Sequence, residues 1–120
     1  MTIKAQLKEQ KTLFSFEFFP PKDDAGEQQL YQTIEDLRTL KPSYISVTYG
    51  AMGTSQDRTL FFVKKIHREL GVDVMAHFTC ICADRDGVRS FIEELKNDGI
   101  TNILALRGDF PPDFLQGAAT

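Results

Sequence analysis

Apolar residues follow two spacings along the chain. In short segments, apolar residues either run together or alternate with polar ones, which is typical of strands in a sheet. These segments predict four strands, at residues 13–18, 44–48, 73–78 and 102–106. Between the strands, apolar residues recur at every third or fourth position, which is the period of a helix. This pattern predicts three helices, at about 25–40, at about 56–70, and from a cap at residue 84 to about residue 97.

Aspartate and glycine residues mark the ends of the predicted helices. Asp23 or Asp24 can cap the first helix and Asp84 the third, because an aspartate side chain accepts a hydrogen bond from the free N–H groups of a first turn. Gly71 and Gly99 follow the second and third helices, where the left-handed turn that ends a helix favours glycine. The residues expected to face inward are Leu30, Ile34, Leu37 and Leu40; Leu60, Val63, Ile66, His67 and Leu70; and Val88, Phe91, Ile92 and Leu95.

Strands that alternate with helices through short loops favour parallel pairing with right-handed crossovers. Two α/β folds fit this pattern: an open doubly wound sheet and a closed (β/α)8 TIM barrel. The glycine-rich phosphate-binding turn expected after the first strand of a dinucleotide-binding sheet is absent, because Pro20 and Pro21 stand there. We therefore predict the barrel. The chain supplies about four of its eight strands and three helices, so residues 1–120 form a half barrel, the N-terminal portion of a single domain.

The active site of such a barrel is built at the carboxyl ends of the strands. Each predicted strand ends in polar residues, namely Glu17, Thr48, His77 and the segment from Arg107 to Asp109. Because side chains alternate between the two faces of a strand, these residues can all point into the barrel while their neighbours face the helices. The residues then expected to face the helices are Phe14, Phe16 and Phe18; Ile45 and Val47; Val74, Ala76 and Phe78; and Leu104 and Leu106.

Glu17 is the most unusual of these polar residues, because it is an acid within a strand of large apolar residues. A charge removed from water without a partner costs several kcal/mol or raises the pKa of the group. Folding alone gives no reason for this placement, so Glu17 is a candidate proton donor. The alternative is a carboxylate satisfied by a cation inside the barrel, such as Arg107.

Composition narrows the class of protein. The chain has 14 Lys and Arg against 17 Asp and Glu, a formal charge of −3, and no basic stripe, so a nucleic-acid partner is not expected. The uncharged stretches fall short of the roughly 20 residues of a membrane span, and the N-terminus carries no signal-like apolar run. We therefore expect a cytoplasmic protein. Cys80 and Cys82 are expected to be reduced thiols.

Four short motifs lie in order at the successive strand ends. They are FEFFPPK (16–22), SVTYGA (46–51), HFTC (77–80) and LRGDFPP (106–112). Together they resemble the start of the methylenetetrahydrofolate reductase family, in its bacterial form, over about residues 13–112. The resemblance implies a complete barrel in which FAD takes electrons from NADH or NADPH and reduces 5,10-methylenetetrahydrofolate to 5-methyltetrahydrofolate. It also implies a folate substrate, and we expect a homo-oligomer when the protein is full length.

The resemblance carries residue roles onto this sequence. Glu17 matches the general acid that protonates the departing folate nitrogen. Asp109 matches a catalytic aspartate beside flavin and folate, where its charge tunes the flavin and favours cationic character in the substrate. Thr48 matches a position that contacts nicotinamide. The positions that match flavin contacts are Tyr49, Ala51, His77, Arg107 and Gly108.

Other readings of the same residues stay open. A truncated chain could be catalytically inactive and act only as an associating half barrel, with exposed sheet edges. His77, Cys80, Cys82 and Asp84 could be read as a metal cluster, although their spacing is not that of a tight zinc site, and no metal is expected. Residues 107–109 also form an adhesive tripeptide. A lysine-based aldolase would need a lysine at a strand end, and the lysines fall in loops or helices.

Overall fold

The computed structural model describes residues 2–10, 12–48, 55–81 and 83–108. Within these residues the helices are α1 (Ile3–Glu9), α2 (Asp24–Leu37), α3 (Ser55–Leu70) and α4 (Arg85–Asn97), with a 3-10 turn at Arg38–Leu40. The strands are β1 (Ser15–Phe18), β2 (Tyr44–Val47), β3 (Val74–Thr79) and β4 (Asn102–Leu106). They form one sheet in the order β1-β2-β3-β4, and every neighbouring pair is parallel. The predicted α/β alternation is confirmed, and the sheet is consistent with half of a (β/α)8 barrel, whose closure stays a prediction.

The predicted helix caps are formed. Asp23 is the N-cap of α2, and its Oδ1 accepts a hydrogen bond of 2.7 Å from the backbone N–H of Gly26. Asp84 caps α4 in the same way, through a bond of 2.7 Å from the N–H of Gly87. A cap of this kind stabilises a helix by about 1 kcal/mol. Gly71 and Gly99, which follow α3 and α4, have the positive φ angles of 63° and 76° expected of a left-handed turn.

Helix α1 was not predicted from the sequence. It begins after its N-cap Thr2 and lies against the amino ends of β3 and β4. The backbone N–H of Ile3 donates to Oδ1 of Asn102 at 2.9 Å. The side-chain amide of Gln6 donates to Oδ2 of Asp73 at 3.1 Å. The helix therefore connects the start of the chain to the strands at the far side of the sheet.

The helices α2, α3 and α4 pack on one face of the sheet, which we call the helix face. The core there is formed by Ile45, Val47, Val74, Ala76 and Phe78 from the strands and by Ile34, Phe62, Val63, Ile66, Leu70, Phe91 and Leu95 from the helices. Two residues expected to face inward do not. Leu40 is 63% exposed because it lies in the 3-10 turn beyond α2, and Ile92 is 43% exposed at the edge of the stripe that α4 buries.

The opposite face of the sheet carries Glu17, Ser46, Met75 and His77, and we call it the site face. Residues paired side by side in parallel strands project to the same face, and Glu17 pairs with Ser46, which pairs with Met75. The predicted alternation within β1, β2 and β3 is therefore confirmed. The prediction for Phe14 is wrong: it precedes β1 and is 69% exposed, because the strand that would fix its direction begins only at Ser15.

The predicted alternation in β4 is wrong. The register pairs Leu104 with His77 and Leu106 with Thr79, so both leucines lie on the site face and not toward the helices. The expectation rested on an inward Arg107, which follows the last residue of β4 and does not fix the direction of the side chains within the strand. Neighbouring strand β3 fixes it instead.

Candidate active site

Three polar side chains meet on the site face of adjacent strands. Glu17 lies on β1, Ser46 on β2 and His77 on β3. The Ser46 hydroxyl donates a hydrogen bond to Oε1 of Glu17 at 3.1 Å. The Nε2 atom of His77 lies 3.1 Å from the same oxygen. The sheet thus brings a carboxyl, a hydroxyl and an imidazole together at a single atom.

The three side chains differ in their exposure. Ser46 and His77 are buried, with 3% and 7% of their surface exposed, whereas the side chain of Glu17 is 56% exposed. The sequence predicts that the Glu17 carboxyl is partly removed from water. In the part of the chain that the structure describes, the exposed fraction of its side chain is larger than this prediction implies. One carboxyl oxygen is nonetheless held by buried groups. The arrangement leaves a fixed but accessible acid at the carboxyl end of β1.

His77 lies next to Glu17, a position for which the sequence suggested a cation such as Arg107. Its Nε2 is buried and close to Oε1, but the contact does not have the angle of a hydrogen bond. When the imidazole is protonated, the contact becomes an ion pair. Arg107 is exposed beyond β4, where its Nε donates to the carbonyl oxygen of Gly108 at 3.1 Å. The flavin contacts assigned to His77 and Arg107 stay predictions.

Thr48 continues the line of β2 toward the site. Its backbone N–H donates to the carbonyl of Phe18 at 2.9 Å, and its carbonyl accepts from the hydroxyl of the fully buried Thr59 at 2.9 Å. The backbone is therefore fixed on both sides. The Thr48 hydroxyl is buried and has no hydrogen-bond partner within the described parts of the chain. Because a buried hydroxyl without a partner is costly, this atom is suited to a ligand that supplies one.

Gly108 lies beside the end of β3. Its φ is 90°, and a Cβ atom at this position would lie 1.9 Å from Cγ2 of Thr79. Sequence reasoning expected a glycine that permits close approach of the backbone to flavin. The close approach in this structure is to the side chain of Thr79, so packing alone requires glycine here. A contact between Gly108 and flavin stays a prediction.

Several predicted positions lie outside the described residues. They are Tyr49, Ala51 and Asp109, together with Cys82 of the alternative metal cluster. Cys80 is a half-buried free thiol. Among residues 2–10, 12–48, 55–81 and 83–108, no group of three or more His, Cys, Asp and Glu side chains comes close enough to hold a metal ion.

None of the helices in these described ranges has the length and apolar character to cross a bilayer.

Ser46 is the residue of this site that sequence reasoning did not single out. A serine in a strand is common, and its alternation with Ile45 and Val47 indicated only which face it occupies. The pairing of Glu17 with Ser46 across β1 and β2 is what brings its hydroxyl to the carboxyl. The sequence alone does not give this register between β1 and β2, so it could not identify Ser46 as a neighbour of Glu17.

Comparison with known proteins identifies the family. A parallel α/β sheet with an acid at a strand end is a common enzyme architecture, and the family profile described as methylenetetrahydrofolate reductase matches residues 2–118. The chain belongs to the methylenetetrahydrofolate reductase family. It is 47% identical over 98 residues to 5,10-methylenetetrahydrofolate reductase of Salmonella typhimurium and 46% identical over 98 residues to that of Escherichia coli. Each match covers 82% of this chain and 33% of the relative.

A plant relative has a longer chain. The protein named methylenetetrahydrofolate reductase (NADH) 1 from Arabidopsis thaliana is 36% identical over 109 residues, which cover 91% of this chain and 18% of the relative. The chain thus spans a third or less of the length of these relatives. Within each of them it corresponds to the amino-terminal part.

Proposed function

We propose that the chain is the amino-terminal portion of a single barrel domain that reduces 5,10-methylenetetrahydrofolate to 5-methyltetrahydrofolate with electrons from NADH or NADPH. FAD, when bound, supplies the hydride transfer between nicotinamide and folate. Membership of the family supports this reaction, and the bacterial relatives carry its name. The name of the Arabidopsis relative includes NADH, which favours NADH as the donor.

The observation that carries the proposal is the anchored carboxyl of Glu17. Reduction of the folate requires its ring to open, and ring opening requires a proton on the departing nitrogen. Glu17 lies at the carboxyl end of β1, where barrel enzymes place their reacting groups. Ser46 donates a hydrogen bond to one of its oxygens, His77 lies beside the same oxygen, and 56% of the side chain stays exposed. A fixed acid that a substrate can reach meets the geometric requirement for a general acid.

The residues present are compatible with a bound dinucleotide cofactor. The buried Thr48 hydroxyl without a partner is suited to a polar group of a ligand, and we assign it to the nicotinamide. Asp109 would place a negative charge near the flavin and folate, and favour cationic character in the substrate. The residues proposed to contact flavin are Tyr49, Ala51, His77, Arg107 and Gly108. We also propose that the enzyme acts in the cytoplasm and forms a homo-oligomer at full length.

The test separates the two half-reactions. We define the completed protein as this chain joined to the remaining carboxyl-terminal part of the Salmonella typhimurium relative. In the completed protein we expect Glu17→Gln to leave the reduction of bound FAD by NADH within about twofold and to slow reduction of the folate by about 10²- to 10⁴-fold, as loss of a general acid does. Stopped-flow absorbance of the flavin measures both rates.

The control is Glu35→Gln, which makes the same chemical change at an exposed carboxylate on α2 that forms an ion pair with Arg38. We expect it to change neither rate by more than about twofold, in line with the small effect of an exposed ion pair. Equal loss of both half-reactions in Glu17→Gln would remove the general-acid role.

A second candidate function is an inactive half barrel that associates with another half. It is favoured by the apolar side chains that β4 exposes: Ile103 at 37%, Leu104 at 36% and Leu106 at 39%. For the chain alone we expect no stoichiometric FAD after purification and no NADH oxidation with menadione as acceptor. We also expect sedimentation that depends on concentration, because exposed apolar strands associate. If NADH bleached FAD bound to the chain alone, the inactive-fragment candidate would be refuted.

A further inference from the structure

We propose that Ser46 is a positioning residue that fixes Oε1 of Glu17 as a hydrogen-bond acceptor and thereby assigns the transferable proton to Oε2. This inference rests on the proposed function, because it concerns the same acid. It adds a residue and an atom to that function. The carboxyl has two oxygens, and the structure distinguishes them.

The position of the Ser46 hydroxyl is set by the sheet. Ser46 lies on β2 between β1 and β3, and its backbone pairs directly with that of Glu17. A serine side chain has one bond about which its oxygen rotates, so a fixed backbone leaves only three staggered positions for the oxygen. With 3% of its surface exposed, Ser46 has little access to water as a competing partner. The position that the hydroxyl takes is the one that donates to Oε1 at 3.1 Å.

Two buried polar groups lie beside the same oxygen. Oε1 accepts a hydrogen bond from the Ser46 hydroxyl and lies 3.1 Å from Nε2 of His77. In a neutral carboxyl group the carbonyl oxygen is the better acceptor, so the oxygen that accepts from Ser46 is the one without the proton. A neutral Glu17 then carries its proton on Oε2. The contacts of Glu17 with Ser46 and with His77 are both made by Oε1.

The resulting proton transfer balances. The proton leaves Oε2 and binds the departing folate nitrogen while the bond between that nitrogen and the methylene carbon breaks. The electron pair of that bond stays on the nitrogen, the lone pair of the other nitrogen forms a double bond to the methylene carbon to give an iminium ion, and Glu17 becomes a carboxylate. The Ser46 hydroxyl donates to Oε1 before and after the transfer. It therefore stabilises the charge that develops without having to reorient, which is the property that makes preorganised donors effective.

The first test uses the chain itself and does not depend on activity. The ¹³C resonance of the Glu17 side-chain carboxyl is assigned and compared among variants at one fixed pH. We expect Ser46→Ala to move this resonance and Ser46→Thr, which keeps the hydroxyl, to restore it. The matched control is Ser15→Ala, which removes a hydroxyl from the same face of β1 at an exposed position. An unmoved Glu17 resonance in Ser46→Ala would overturn the inference, provided the amide spectrum shows a folded chain.

The second test uses the completed protein. We expect Ser46→Ala to slow folate reduction by about 10- to 100-fold, the effect of losing one hydrogen bond to a charged group, and to leave flavin reduction by NADH within about twofold. Ser46→Thr should recover most of the folate rate. A serine with only a packing role would instead lower both half-reactions together, or neither.

The outcomes separate the inference from the function on which it rests. If the unsubstituted completed protein binds FAD but does not reduce the folate, the proposed function fails and the proton assignment fails with it. If it reduces the folate and Ser46→Ala does so equally fast, the role of Ser46 alone is overturned. The carboxyl resonance of the chain decides in either case whether Ser46 holds Glu17.

Discussion

The two faces of the sheet use alternate residues of the same strands for different purposes. On the helix face, Ile45 and Ala76 are fully buried and Phe78 is 2% exposed. On the site face, Ser46 and His77 are buried polar residues and the Glu17 side chain is largely exposed. Burial of apolar surface stabilises the fold, whereas a polar cluster at a partly open surface adds little to stability. The difference indicates that the helix face contributes most of the stability of the fold, whereas the site face carries the polar side chains of the candidate site.

The largest stability effect is expected on the helix face. Phe91 is 1% exposed, and the centroid of its ring lies 4.3 Å from the ring centroid of Phe78. Phe91→Ala should therefore lower the free energy of unfolding by about 3–5 kcal/mol. The matched change on the site face, Leu104→Ala, removes a side chain that is 36% exposed and should cost about 1 kcal/mol or less. Urea unfolding of the two variants measures the contrast. Equal losses would break the distinction between the faces.

Gly108 sharpens the comparison because packing by itself already requires a glycine at this position beside the site. Gly108→Ala places a Cβ against Thr79 at a positive φ, and should cost about 2–4 kcal/mol in unfolding free energy unless the loop shifts. Gly71→Ala is the control: its φ is also positive, but a Cβ there meets nothing within 4 Å, so only the backbone cost of about 1–2 kcal/mol applies. A smaller loss in Gly108→Ala than in Gly71→Ala would contradict the close contact.

The smallest effect is expected at an ion pair outside both faces. Arg68 donates to Asp98 at 2.7 Å, and this hydrogen bond is the main cause that holds the pKa of Asp98 below its usual range. A lowered pKa in the folded state means that the pair stabilises the fold above the ordinary aspartate pKa of about 4, and that this stabilisation is lost as pH falls through the folded value. Because the Arg68 side chain is 64% exposed, the contribution is at most about 1 kcal/mol.

The pH dependence of Arg68→Ala tests that assignment. Its unfolding free energy should differ from that of the unsubstituted chain near pH 7, and the difference should shrink toward about pH 2. Asp98→Asn serves as the control, because without the carboxyl the arginine substitution should have no dependence on acid pH. A difference between Arg68→Ala and the unsubstituted chain that stayed constant down to about pH 2 would contradict the pairing.

Much of the fold could be predicted because local signals agree with packing. Aspartate caps and the glycines after α3 and α4 mark helix ends through hydrogen bonds of the local backbone. In β1 and β2, a polar residue between two apolar ones indicates its face directly. Residues 103–106 of β4 are all apolar, so alternation carries no information there, and only pairing with β3 determines the two faces.

Features that depend on distant contacts could not be predicted. Helix α1 is seven residues long, too short for a periodic pattern, and its contacts reach residues 67 and 99 positions away. The site was predicted only in part for the same reason. Glu17 is conspicuous as an acid in an apolar strand, but Ser46 becomes notable only when strand register places its hydroxyl beside the carboxyl.

The hydrogen bond between Ile3 and Asn102 has a consequence for biosynthesis. The two residues are 99 positions apart. Helix α1 therefore cannot form its contact with Asn102 until the ribosome has made the intervening chain. At about 5–20 residues per second, that delay is about 5–20 s. The amino-terminal segment must therefore emerge from the exit tunnel early and dock late, and a nascent-chain chaperone has that interval in which to bind it.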